Sequence, residues 1–211
     1  MKNMAAVSGL LLGVLALSSC ATLDKDECMT ADWYSIGFED GSKGRSENYL
    51  SKHRKACAKH GVTPDFNQYS QGHNRGTDSF CTPDRALRMA ADGSQFPQGC
   101  ATDTYEAFAV AFGQGEQVYA AKLAVEAVEQ ALHDVEYTVE ELQQQIAENE
   151  AAIVSDATTQ ETRRQLLDDN RALQLEIDAL YAEHALLLEH LDEKDIELRQ
   201  LLNYYGLSGL K

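Results

Sequence analysis

Positive charge is scarce in this chain, with 18 Lys and Arg against 34 Asp and Glu. A surface that binds nucleic acid needs the opposite balance, so no nucleic-acid partner is expected. Long apolar runs are missing too, because the stretch from Met4 to Leu17 is too short to span a bilayer. No Gly-x-Ser-x-Gly, His-Glu-x-x-His, phosphate loop or dinucleotide fingerprint occurs. His53, Cys57 and His60 have the i, i+4, i+7 spacing of a zinc site, but a fourth ligand is not evident and Cys57 is better used in a disulfide. The expectation is no metal, no cofactor and no catalytic residue, and hence a non-enzymatic protein.

What is present begins with an address. Lys2 precedes the short apolar run, which closes on Leu17-Ser18-Ser19-Cys20, the form of a lipobox. Residues 1–19 would be removed as a lipoprotein signal peptide. Cys20 would then start the mature chain as an acylated residue, with 20–27 as its tether. Several acyl chains, at about 0.8 kcal/mol per buried CH₂, make such attachment effectively permanent. Ala21 rather than Asp follows Cys20, which resembles the outer-membrane sorting pattern. The expected location is the cell envelope, in the inner leaflet of a Gram-negative outer membrane, facing the periplasm.

Charge divides the remainder. Residues 20–116 hold 10 basic and 14 acidic groups, a net of −4, while 117–211 hold 7 and 20, a net of −13. Lys43, Arg45, Lys52, Arg54, Lys55 and Lys59 run against this trend with only Glu47 among them. They form either a solvated helix face or a docking face for anionic head groups beside the anchor.

Four cysteines remain after acylation of Cys20: Cys28, Cys57, Cys81 and Cys100. Export brings them into an oxidising compartment, where two bridges are expected, and three connectivities are possible. Thr30 as a helix N-cap, a turn near Gly44 and a C-cap at Gly61 predict a helical hairpin of 31–44 and 47–60. In such a hairpin Cys28 lies near Cys57, which favours Cys28–Cys57 and Cys81–Cys100.

One spacing recurs three times in residues 28–116: an aromatic, two residues, a small residue, three residues and a glycine. It occurs as Tyr34…Gly37…Gly41, Tyr69…Gly72…Gly76 and Phe108…Ala111…Gly115. Positions i, i+3 and i+7 share a helical face, so each unit presents a ring beside a bare strip of backbone. Glycine inside a helix costs about 1 kcal/mol relative to alanine, and close helix packing is the expected return. The other reading is a concave surface site rimmed by Trp33, Asp40, His73 and Arg75. The series Cys28…Asp32-Trp33-Tyr34-x-x-Gly37-x-x-Asp40-Gly41-x-x-Gly44…His53…Cys57…Tyr69-x-x-Gly72-x-x-x-Gly76…Phe80-Cys81-Thr82-Pro83…Cys100…Phe108 resembles the exported bacterial family of domain of unknown function 2799 over about residues 28–119. Members of that family are commonly lipoproteins, so the resemblance implies a location and a fold but no reaction. Ala86 to Ala90 stand where the family usually has glycines.

Beyond residue 117 the sequence reads as a heptad repeat. Apolar a and d positions run from Val118 to Ile153 and again from Leu166 to Tyr205, with a break at 155–159 and capping-box spacing at Thr158 to Glu161. Facing residues of an antiparallel pair have a constant sum of residue numbers. Ile153 with Leu166, Leu142 with Ile177 and Val118 with Leu201 all sum to 319, and so do Asn149 and Asn170. The two amides in one layer would satisfy each other and set the register. The fold class is therefore all-α, a small disulfide-stapled helical domain followed by a long antiparallel coiled-coil hairpin over 117–205, with arms at about 118–154 and 159–205. Residues 206–211 are expected to be a flexible tail. Leu167, Tyr181, Leu188 and Leu202 flank the second seam and mark a face for a protein partner or self-association. The reading as a whole is a membrane-anchored periplasmic scaffold or adaptor. Its rival is a ligand-binding or catalytic domain at the aromatic and glycine units, with the coiled coil as spacer or oligomeriser.

Overall fold

A computed structural model describes residues 22–209. The signal segment, Cys20 and Lys211 lie outside them. Within them the chain is helical with no strands, and no helix is long and apolar enough to cross a membrane. Two compact units divide after Ser79.

The first unit contains α1 (Lys25–Met29), α2 (Trp33–Gly41), a 3-10 turn at Glu47–Tyr49, α3 (Leu50–Ala58) and nearly all of α4 (Phe66–Phe80). Asp24 and Glu27 close a capping box on α1. Asp32, not Thr30, caps α2, because its carboxylate accepts from the amides of Tyr34 and Ser35. Thr30 instead ends α1, its hydroxyl donating to the Asp26 carbonyl at 2.9 Å. α2 and α3 fall within the two predicted segments but are shorter, and α2 packs its glycine face on α4. Gly44 and Gly61, at φ of 71° and 73°, make the turns where side chains with a Cβ are strained. Cys28 is bonded to Cys57 with 5.5 Å between Cα atoms, at the centre of a core that includes Trp33, Leu50 and Tyr69.

The glycine strips of α2 and α4 face each other. A methyl at Gly37 would meet the Tyr69 carbonyl, and one at Gly41 would lie 2.7 Å from the Thr77 nitrogen. Reciprocally, Gly72 abuts the Tyr34 carbonyl and Gly76 the Phe38 carbonyl. Four glycines thus let two backbones touch.

The second unit contains α5 (Pro83–Ala91), α6 (Glu106–Ile153) and α7 (Gln160–Tyr204). Cys81 is bonded to Cys100. The third aromatic unit is an exception to the glycine pairing, since Gly115 of α6 packs on Leu87, Ala90 and Ala91 of α5. Alanine on α5 is small enough for that approach. The boundary expected at 116/117 is bridged by the unbroken α6, and Cys81–Cys100 belongs with the hairpin because α5 packs along α6.

α6 and α7 pack antiparallel along the expected seam, burying Val118, Ala121, Val125, Val128, Leu132, Val135, Val139 and Ile177. Asn149 donates to Asn170 at 2.7 Å. Asn149→Leu leaves the Asn170 amide facing an apolar group and lowers unfolding free energy by about 1–3 kcal/mol. Urea unfolding followed by circular dichroism measures it, and an unchanged midpoint would remove the pair from any role in the register.

Two details differ from expectation. α7 is capped by Thr159 through the Thr162 amide, one residue later than the predicted box, because the Thr158 hydroxyl turns back to the Ala152 carbonyl. The tail is not free at its start. The Gly206 amide reaches the Asn203 carbonyl and the Leu207 amide the Leu202 carbonyl, the two bonds of a Schellman cap, with Gly206 at φ 68°. Leu207 is thereby buried with Ala91 and Val118.

Candidate functional site

Asp40 stands near the end of α2 and is almost fully buried, a position that a carboxylate holds only with partners. It has three. Arg45, brought back by the turn at Gly44, donates to Oδ1 at 2.7 Å. His53 of α3 and the Tyr69 hydroxyl of α4 both reach Oδ2, at 2.7 and 2.8 Å. One carboxylate thus ties α2, the turn, α3 and α4 together.

Burial pushes the Asp40 carboxyl up, but the hydrogen bonds from His53, Tyr69 and Arg45 outweigh it and hold the group below the ordinary aspartate value. Burial, reinforced by the Asp40 charge, pushes the Tyr69 phenol far above its usual range. Tyr69 is therefore a neutral donor to an ionised acceptor. Since the carboxylate can only accept, His53 Nε2 carries the proton of that bond. His53 Nδ1 faces the Thr22 hydroxyl at 2.9 Å. The result is a series of hydroxyl, imidazole and carboxylate.

A cavity of about 610 Å³ opens beside this series, lined by Thr22, Leu23, Glu39, Lys43, Tyr49 and other residues of the first unit. Tyr49 takes the Arg45 guanidinium over its ring at 4.2 Å and the Lys52 ammonium at 4.4 Å. His73 lies behind, with Nε2 donating to the Arg45 carbonyl at 2.7 Å and its ring stacked on Tyr69.

The four residues expected to rim one concave site do not do so. Trp33 is in the core, His73 is buried behind Tyr69, and Arg75 is exposed on α4. Only Asp40 lines the cavity. The zinc spacing is likewise dissolved, since the Cys57 sulfur is in the disulfide and both His53 nitrogens are engaged. Among the described residues no cluster of three or more His, Cys, Asp or Glu could hold a metal ion. Arg45, His53 and Tyr69 were not assigned from sequence as Asp40 partners. Nothing periodic links them, although His53 and Tyr69 both fall within the family-like series.

A second surface lies on α7, where Leu167, Tyr181 and Leu188 are about half exposed; Leu175 and Leu186, at 71 and 67 %, point to the side away from the seam. Leu202 departs from this face, because it packs into the cluster around Leu207. Tyr181 accepts from Gln143 across the hairpin at 3.2 Å with its ring still open to solvent.

Residues 32–117 match the family described as protein of unknown function (DUF2799). The matched segment starts at Asp32, the cap of α2, ends within α6 and leaves most of the hairpin outside. No curated protein and no solved structure matches the chain.

Proposed function

We propose that this chain is a non-enzymatic envelope lipoprotein, held in the membrane by acylated Cys20, that engages a protein partner through the exposed apolar face of α7. The observation that carries the reading is that face. A two-helix seam already buries Val118 through Val139, yet Leu167, Tyr181 and Leu188 beside it stay about half exposed. Exposed large apolar side chains at this density mark interaction surfaces. The net charge of −13 over residues 117–211 repels a second copy along the hairpin's length. The occupant is therefore a basic amphipathic segment of another envelope protein, docked helix against helix.

The Asp40 network is, on this reading, a keystone that fixes the base. The series of Thr22, His53 and Asp40 favours one rival, since a hydroxyl, an imidazole and a carboxylate are the parts of an acyl-transfer relay. One experiment separates the two. Because facing residues sum to 319, removal of 129–190 with a short glycine loop shortens both arms equally and keeps the base with Leu207. The shortened chain should fail to complement loss of the gene, and a photocrosslinker at 181 or 188 in the full chain should give a discrete adduct that one at the exposed Glu148 does not. Full complementation by the shortened chain would transfer the function to the Thr22 and His53 cavity. Cys20→Ser should move the protein from the membrane to the soluble periplasmic fraction, and retention without an acyl mass would remove the anchor.

A further inference from the structure

α3 and its C-cap carry four exposed cations, Lys52, Arg54, Lys55 and Lys59, without carboxylate partners. Several bases elsewhere in this acid-rich chain pair with acids: Lys43 with Glu39, Arg45 with Asp40, Arg88 with Asp84, Lys122 with Asp92 and Arg171 with Asp168. Lys52, Arg54, Lys55 and Lys59 form no ion pair among the described residues, and no acid occurs from Asn48 to Pro64. All four are exposed, because α3 turns Leu50, His53, Ala56 and Cys57 inward.

The tether holds α3 from its inner side. Thr22 bonds to His53 on α3 itself, Leu23 packs on the core that holds Leu50 and Cys57, and Cys28 is bonded to Cys57. Two residues of chain separate Cys20 from Thr22, a covalent reach of at most about 7 Å.

We infer that the outer face of α3 docks on anionic phospholipid head groups, with Lys52, Arg54, Lys55 and Lys59 as the contacting residues. The inference rests on the acyl anchor proposed above, which delivers α3 to the bilayer surface. Charge then selects the lipid, since each Lys or Arg near an anionic surface adds about five-fold in affinity. Asp24, Asp26 and Glu27 on α1 oppose this. Asp24 and Glu27, however, are turned to each other in the capping box, and Glu27 faces the cavity.

The test is a lysine footprint on the full mature protein in vesicles of phosphatidylcholine with and without phosphatidylglycerol. Acetylation is read by mass spectrometry, and the intact mass reports acyl groups on Cys20 separately. Lys52, Lys55 and Lys59 should acetylate about five-fold more slowly when phosphatidylglycerol is present. Lys194 and Lys122 of the second unit should not change. The double variant Lys52→Glu, Lys55→Glu, checked for unaltered circular dichroism, should lose the protection at Lys59. Equal acetylation on the two vesicles, or equal protection of Lys194, overturns the docking face. A chain without acyl mass overturns the anchor instead.

Discussion

Gly72→Ala destabilises the first unit by about 3 kcal/mol or more. In an open helix the same change would gain about 1 kcal/mol, because alanine is the better helix former. Here the new methyl runs into the Tyr34 carbonyl and lies 2.8 Å from its carbon. Side chains yield to overpacking at about 1–3 kcal/mol, but a helix backbone carbonyl has no rotamer to change. The two helices must separate, uncovering the buried Tyr69 ring between them. Trp33 is the chain's single tryptophan and is buried in that core, so its fluorescence during urea unfolding reports the first unit alone. Gly113→Ala is the matched control, as a methyl there meets nothing within 4 Å, and it should stabilise α6 by up to about 1 kcal/mol. A Gly72→Ala protein as stable as its parent would refute the crossing of α2 on α4.

Asp40→Ala costs about 3–5 kcal/mol, since it strands three donors inside the base. The loss falls toward the lower end because Arg45, with 37 % of its side chain exposed, can turn to water. His53 and Tyr69 cannot, being buried at 4 and 0 % exposure. Acid narrows the difference. Folding depresses the Asp40 pKa, so its ionised form contributes stability that is complete above the unfolded-state value of about 3.9 and is lost as pH falls through the lower folded-state value. The gap between parent and Asp40→Ala, read by Trp33 fluorescence, should be widest near neutrality and shrink below about pH 4. A gap that stays constant with pH would mean that Asp40 acts by packing rather than by charge.

The hairpin was legible because its signal is repetitive. Each a or d position restates the same register, and Asn149 and Asn170 share the sum of their apolar neighbours. The glycines of α2 and α4 were legible as packing strips, but not as partners of each other. Pairing is a long-range fact that a local period does not encode. Asp40 shows the same limit more sharply, because its ligands lie 5, 13 and 29 residues away on three different elements. No spacing rule joins an aspartate to those positions. The short helix α1 escaped notice for a different reason, since five residues carry too little periodicity to register. Leu207 was missed because two glycines in a short end read as freedom, whereas Gly206 is the residue that a Schellman cap requires.

The two disulfides join neighbours in the order of the chain, Cys28 to Cys57 and Cys81 to Cys100, without crossing or nesting. An exported polypeptide emerges N-terminus first. In the exported lipoprotein proposed above, with Cys20 taken by lipid, the first two thiols to appear are the pair that belong together, and they can close before the third arrives. An oxidase that joins cysteines in order of appearance therefore makes the native bonds directly. On that route, maturation calls for an electron acceptor but no isomerase to shuffle wrong pairs.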